Sequence, residues 1–419
     1  LFIVRGMYAL EDLPVKKIPR WSKICIEVVM VVFFLHTVQV QGTEIGMWDY
    51  IQSVRESSDF YEKEYVNPAK VKMTFPKEKK NLIYIFMESM ESSYADKEDG
   101  GTMDDNYIPN LTKLARENVQ FTDKKDGKVG GPVCLEATAY TAGGLVAQTS
   151  AINLKVMNSG AVSDSFLPNL TALGDILNKQ GYNQMFLCGS DGDFAGRDAY
   201  FKTHKDYQIE DYKAAIKEGD IPKDYKVYWG HEDKVLYERA KKNLKKLSKE
   251  GKPFNLTMLT VDTHFPNGYI CDLCENKYDT TYGNAVACAD RQVYDFVQWI
   301  KKQDFYEDTT IIIAGDHTSM VDTGSKFWKS LSNDYQRTVY NAIINPQCAY
   351  KKKVTTKRKF STMDMFPTTL AALGVEIDGN KLGLGTNLFS GEETLREELG
   401  ANYINKELKR NDKMYNQFY

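Results

Sequence analysis

Two apolar runs in this chain end in side chains that can hold a cation. "NLIYIFMESMESSY" (81–94) begins as a strand and delivers Glu88, then Glu91. "TTIIIAGDHTSM" (309–320) repeats the pattern and delivers Asp316 and His317 side by side. Carboxylate oxygen with imidazole nitrogen suits Mn²⁺ or Zn²⁺, with Mg²⁺ as a further alternative. Open α/β sheets place their sites at the C-terminal ends of strands. A third stretch, "GGPVCLEATAYTAGGLVAQTSAINL" (130–154), is a Gly-rich turn followed by small hydroxyl residues at the start of an apolar helix. Free N–H groups at a helix N-terminus attract phosphate. A Thr there, ligated to a divalent metal, can ionise and act as a nucleophile.

The elements that would position these groups alternate. "QMFLCGS" (184–190), "NLTMLTVD" (255–262) and "TTIIIAGD" (309–316) read as buried parallel strands ending in small or acidic residues. "LPNLTALGDILNKQGY" (167–182) starts after a Pro and stops at a Gly, as helices do. "AVACADRQVYDFVQWIKKQ" (285–303) puts Val286, Val293, Phe296, Val297 and Ile300 on one face. Helical crossovers between apolar strands predict an α/β fold: a doubly wound, mostly parallel sheet with helices on both faces. No internal repeat or low-complexity segment interrupts it.

Residues 24–40, "ICIEVVMVVFFLHTVQV", are apolar enough to predict a transmembrane helix. Arg5, Lys16, Lys17, Arg20 and Lys23 precede it, and Gln41, Gly42, Thr43 and Glu44 follow. The asymmetry predicts a cytoplasmic loop at 1–23 and an extracytoplasmic remainder. That remainder divides into a connector (41–78), a catalytic domain (79–395) and a tail (396–419). The chain opens at Leu1 rather than Met, as a fragment of a longer protein would. The net charge of −3, from 54 basic and 57 acidic residues, gives no general affinity for nucleic acid. Cys271 and Cys274 form a lone C-x-x-C with no second pair. Outside the cytoplasm, a disulfide among Cys271, Cys274 and Cys288 is expected before a metal.

In this order along the chain, the motifs resemble the alkaline phosphatase superfamily. Within it they are most similar to the lipoteichoic acid synthase and phosphoglycerol transferase branch, over roughly residues 79–391. The resemblance implies a single metal bound by Glu88 in "IYIFMES", Thr138 in "EATAYTAGGLVA", and Asp316 and His317 in the G-D-H. It makes Thr138 the nucleophile, with Thr141 as the alternative. His264 in "VDTHFP" matches a catalytic His, and Arg197 in "DFAGRDAYF" matches a phosphate-binding Arg, with Asp191 beside it. "YWGHEDKVLYERA" (228–240), "DMFPTTLAALGV" (364–375) and "GLGTNLFSG" (383–391) also look like family segments.

The implied reaction moves phosphoglycerol from phosphatidylglycerol at the membrane to an envelope glycan or polyglycerolphosphate acceptor, through a phospho-threonine. Two positions depart from the synthases. Ala195 stands where they carry Trp, and Cys188 where they carry His, so the donor pocket differs. "TAYTAGGLVAQTSAINL" looks more like the transferases that decorate periplasmic glucans. A sulfatase activity needs C-x-P-x-R or S-x-P-x-R, which the chain lacks. A two-metal phosphatase needs more ligands than five His supply. A phosphoethanolamine transferase, which usually has another His after its D-H pair, and a non-catalytic envelope protein are the remaining alternatives.

Overall fold

The run 82–86 is apolar at every position because both of its faces are covered. In the computed structural model, which describes residues 19–44, 55–155, 165–205 and 207–419, strand β1 (Asn81–Met87) lies inside a six-stranded sheet. Leu82, Tyr84 and Phe86 enter one core, and Ile83, Ile85 and Met87 enter the other. Such two-sided burial removes the polar alternation of a half-exposed strand.

The other strands are β2 (Asn183–Cys188), β3 (Gln208–Glu210), β4 (Phe254–Leu259), β5 (Thr309–Gly315) and β6 (Asn341–Ile344). Their order is β3-β2-β4-β1-β5-β6. The first five run parallel and β6 closes the edge antiparallel to β5. Sequence periodicity did not separate β6, a four-residue strand in "YNAIINP", from a loop.

Helix α1 (Arg20–Glu44) contains the predicted span and is long and apolar enough to cross a membrane. It belongs to a unit separate from residues 58–419. Arg5, Lys16 and Lys17, which set the predicted orientation, lie outside the described residues. Within the larger unit, α2 (Pro109–Glu117), α3 (Thr141–Ser150), α4 (Leu173–Lys179), α5 (Asp233–Leu247), α6 (Thr281–Ile300) and α7 (Met365–Ala372) surround the sheet. α4 is shorter than its sequence pattern because Ala172 just before it is extended (φ −104°, ψ 174°) and Gly181 just after it is left-handed (φ 79°). α6 begins four residues before its expected start, where the Thr280 side chain accepts from Gly283 N.

The connector and the tail meet. Tyr61 N donates to Asp412 Oδ2 at 3.0 Å, and the Tyr61 ring lies 5.2 Å from that of Tyr415. Residues 401–409, expected as tail, form a helix.

Register places the cation ligands. Met87 pairs with Gly315, so Glu88 and Asp316 leave the sheet side by side. Gly315 allows this approach, because a Cβ there would lie 2.0 Å from Met90 O. Glu91 then binds the two loops together. Its Oε1 accepts from Ser319 N at 2.8 Å, and its Oε2 accepts from Arg337 Nε at 3.1 Å. Arg337 Nη2 also donates to Glu91 Oε1 and to Ser319 O, and the guanidinium lies 4.5 Å from the Trp328 ring centre. Glu91 is fully buried, so removing its partner strands a charge. Arg337→Met should cost about 3–5 kcal/mol, and adding Glu91→Leu should recover part of that loss. Urea unfolding of the single and double variants measures both; equal stability of wild type and Arg337→Met would refute the assignment.

Candidate functional site

Glu88 is held from three sides before any ligand arrives. Its N–H donates to Thr260 Oγ1 at 2.9 Å, and its carbonyl accepts from Thr263 Oγ1, both just beyond the end of β4. Its Oε1 accepts from Ser89 Oγ at 2.7 Å. Asp316 Oδ1 accepts from the N–H groups of Ser89 and His317, each at 2.8 Å. His317 Nδ1 lies 2.8 Å from Thr318 O. A proton on Nδ1 satisfies that carbonyl and points Nε2 inward, the usual way a ligand imidazole is oriented.

The inward atoms converge. His317 Nε2 is 3.4 Å from Glu88 Oε1 and 3.5 Å from Asp316 Oδ2. One ligand atom from each of Glu88, Asp316 and His317 falls within 4.8 Å of the others, and all three residues are buried. Asp316 Oδ2 is buried and accepts no hydrogen bond. A buried carboxylate oxygen without a donor is costly unless a cation takes its place, so this donor set fits a divalent ion of mixed O and N preference.

The charges agree with that fit. Burial pushes the Glu88 carboxyl up, but the charge and hydrogen bond of His317 outweigh it and hold Glu88 below the usual range. Burial and the Glu88 charge push Asp316 up. Burial disfavours the His317 imidazolium, yet Asp316 and Glu88 raise its pKa well above the ordinary value. Two buried acids thus share the field of one imidazole, whose Nε2 can hold a metal once it carries no proton.

The hydroxyl that joins this cluster is not the expected one. Thr138 is fully buried, and its Oγ1 is used within its own turn. It accepts from Leu135 N at 2.8 Å and donates to Leu135 O at 2.9 Å. Ala137 just before it has φ 56°, and the chain then extends through Tyr140 before α3 begins. The first helical residue is Thr141. Its Oγ1 donates to Glu88 Oε2 at 3.1 Å and lies 3.4 Å from His317 Nε2. The alternative hydroxyl therefore replaces Thr138 in the constellation. One signal for this was legible: Gly143 and Gly144 follow Thr141 in the first turn. A Cβ on Gly144 would lie 2.2 Å from Asp316 O, so this turn is the one pressed against the cluster. Gln148 fixes the helix there, donating to Gly315 O at 2.8 Å and accepting from the Tyr84 hydroxyl at 3.0 Å.

His264 stands outside the hydrogen-bonded cluster. Its Nδ1 is 2.8 Å from Phe265 O, and its charge still contributes to lowering Glu88. Arg197 is buried and donates to Phe194 O, Ser190 Oγ and Asp191 O at 3.0, 3.0 and 2.7 Å, bracing the loop after β2. The Asp191 carboxylate lies 3.6 Å from Lys213 Nζ. Cys274 and Cys288 form a disulfide, leaving Cys271 as a buried thiol.

Two acids with no role expected from the sequence, Asp233 and Asp262, form a second buried pair. Asp233 Oδ1 accepts from Val261 N at 2.7 Å and its Oδ2 from Asp262 N at 3.2 Å, while Asp262 Oδ2 accepts from Asp233 N at 3.2 Å. Burial raises both pKa values, and mutual repulsion raises Asp262 further. The pair clamps the segment leading to His264 onto the N-terminus of α5. "GHED" and "TVD", each an acid after a buried stretch, carried that signal.

Comparisons place this geometry among known proteins. The sequence profile of the Sulfatase family matches residues 80–375. Phosphoglycerol transferase I of Salmonella choleraesuis (strain SC-B67) is 33% identical over 340 residues, covering 78% of this chain and 41% of its own length. The Shigella flexneri enzyme of the same name shows the same identity and coverage. The chain thus spans about two fifths of the length of these relatives.

Among solved structures, a lipoteichoic acid synthase, LtaP, from Listeria monocytogenes superposes with a TM-score of 0.59 at 18% identity, covering 76% of this chain and 79% of that one. A protein in the alkaline phosphatase superfamily from Vibrio parahaemolyticus gives 0.55 at 21%, covering 81% and 78%. The C-terminal periplasmic domain of EcEptC from Escherichia coli, in complex with Zn, gives 0.52 at 14%, covering 75% and 88%. At these identities the structures share the fold. With the profile matched across most of its length, the chain belongs to the sulfatase family.

Proposed function

We propose that this chain is a membrane-anchored, extracytoplasmic transferase that moves phosphoglycerol from phosphatidylglycerol to an envelope glycan or glycerophosphate acceptor. The observation that carries the reading is Thr141 Oγ1, set between Glu88 Oε2 at 3.1 Å and His317 Nε2 at 3.4 Å on the first turn of a helix. The relatives named phosphoglycerol transferase I support the donor group, and the missing formylglycine motif disfavours sulfate ester hydrolysis.

Glu88, Thr141, Asp316 and His317 would hold the metal, Mn²⁺ in our reading. When bound, a divalent ion supplies positive charge that acidifies a hydroxyl and neutralises phosphate oxygens. The residues do the rest. Glu88 and His317 orient Thr141, whose hydroxyl gives its proton to solvent and whose oxygen attacks phosphorus as the bond to the diacylglycerol oxygen breaks. The departing oxygen takes a proton, which His264 is placed to give, and phosphoglycerol is left on Thr141. An acceptor hydroxyl then gives its proton to His264 and displaces Thr141, whose departing oxygen takes a proton back from solvent. Amides in the first turn of α3 favour the anionic phosphate. Arg197 would meet the same phosphate, with Asp191 flanking the headgroup.

Thr141→Ala should fold and lose turnover of labelled phosphatidylglycerol by about 10³-fold or more, the scale for loss of a nucleophile. Thr138→Ala should keep turnover and lose about 1–2 kcal/mol of stability, because it breaks a buried hydrogen-bonded turn. Mass spectrometry of protein soaked in the lipid should find phosphoglycerol on the peptide carrying Thr141. An adduct on Thr138 would reverse the assignment.

Elemental analysis tests the cation separately from activity. Wild type should carry about one divalent ion per chain, and Glu88→Ala or Asp316→Ala should carry much less, given the loss of a charged ligand. Metal content unchanged by both substitutions would rule the site out.

We also propose that α1 spans the bilayer with residue 45 onward outside. Protease added to intact spheroplasts should then release a fragment of residues near 50–419. Protection until lysis would show the opposite orientation.

A further inference from the structure

The loops around the cluster expose large apolar side chains that the proposed chemistry does not use. The described residues of the 58–419 unit expose ten such side chains, and six of them sit together here: Phe194, Trp229, Phe265, Ile270, Leu273 and Met320. Phe194 follows the end of β2. Phe265, Ile270 and Leu273 follow β4, and Met320 follows β5. These strands are parallel through β1, so all three loops leave the same end of the sheet as Glu88 and Asp316. Trp229 joins them because Gly230 bridges to Ser190 at the end of β2.

Three of these rim side chains are linked through His264 in a chain of rings. Ring centres of Phe194 and Trp229 are 5.6 Å apart, those of Trp229 and His264 4.8 Å, and those of His264 and Phe265 4.9 Å. His264 is thus itself a link between Trp229 and Phe265. Ile270 and Leu273 follow Phe265 on a segment that the Cys274–Cys288 disulfide fastens to α6. Fastening matters, because an apolar loop free to fold back would bury Leu273, which is 47% exposed. Met320, three residues beyond His317, is exposed on the loop after β5 at the same end of the sheet.

We infer that this rim docks into the outer surface of a phospholipid bilayer and brings the cluster to the donor lipid's phosphate. The inference rests on the proposed lipid donor. Two observations favour a bilayer as occupant. The chain carries its own apolar helix, Trp21–Thr43, long enough to cross a membrane, so a bilayer is always near. The rim also mixes Trp and Phe with aliphatic Ile, Leu and Met. Aromatic rings suit the headgroup boundary, and aliphatic side chains gain by entering the acyl region. A sugar-stacking surface needs flat rings and polar neighbours, and gains nothing from Leu273 or Met320.

The test compares one enzyme on two donors. The full chain, wild type and Ile270→Ser/Leu273→Ser/Met320→Ser, is assayed on long-chain phosphatidylglycerol in vesicles and on a short-chain phosphatidylglycerol dissolved as monomer. The triple variant should lose about tenfold or more on vesicles, a loss in line with three apolar side chains no longer buried. It should stay within about twofold on the dissolved donor. A second readout needs no turnover. Vesicles of brominated phospholipid should quench a fraction of tryptophan emission that disappears in Trp229→Phe. Equal losses on both donors, no loss on either, a raised KM for a glycan acceptor with both donors, or no quenching of Trp229 would each overturn the rim's role. A wild type that turns over neither donor while Trp229 is still quenched would instead defeat the donor assignment and leave the docking surface standing.

Discussion

Two buried carboxylates on adjacent strands repel each other, and much of the site's framework exists to hold them together. Glu88 and Asp316 are brought side by side by the β1–β5 register, which a one-residue slip would destroy. Nothing at a bare strand end would keep two acids there. The protein supplies the His317 imidazole, 3.4 Å from Glu88 Oε1 and 3.5 Å from Asp316 Oδ2, and backbone N–H groups from Ser89 and His317 on Asp316 Oδ1. Asp316 Oδ2 is left without a donor. The repulsion is therefore reduced but not removed, and the remaining deficit is one that a divalent cation would fill.

Holding that arrangement requires stiffness in the loops, and the stiffness comes from groups that never meet a substrate. Glu91 and Arg337 bind the loop after β1 to the loop after β5. Asp233 and Asp262 exchange backbone hydrogen bonds that fix the approach to His264. Gln148 ties α3 to the carbonyls of Gly315 and Asp316. Each tie uses a buried polar group that would be costly unmade. The acids that look redundant in the sequence are thus structural.

The strand ends were readable because burial on both faces writes a continuous apolar run, and an acid at its end is conspicuous. Glu88, Asp316 and His317 could be placed together on that ground alone. Which threonine lies beside them could not be read that way. Thr138 and Thr141 are separated by less than one helical turn, and composition is similar around both. What decides between them is a left-handed residue, Ala137, and an extended one, Tyr140, which delay the helix by three positions. Neither residue type announces that conformation. The edge strand β6 was hidden for a different reason: four residues are too few for a period to show. The connector and tail looked polar because their aromatic residues are spaced irregularly, yet Tyr61 and Tyr415 pack in one core.

The departures from the synthases take on a physical meaning once the loop after β2 is seen. Ala195 has φ 56° and Gly196 φ 71°, a double left-handed turn that swings Arg197 back under its own loop. Arg197 then braces Phe194, Ser190 and Asp191 through their oxygens. A bulky residue at 195 would have to adopt the same strained backbone, and the chain places its indole elsewhere. Trp229 arrives from the loop before α5 and meets Phe194 from the side. The aromatic wall beside the arginine is thereby built from two loops instead of one. Its position depends on the Gly230–Ser190 bridge, and Gly230 has no room for a side chain: a Cβ there would lie 2.1 Å from Gly189 O. The same backbone contact that seats Trp229 therefore also sets how the loop after β2 stands toward His264, whose ring lies 4.8 Å from that of Trp229.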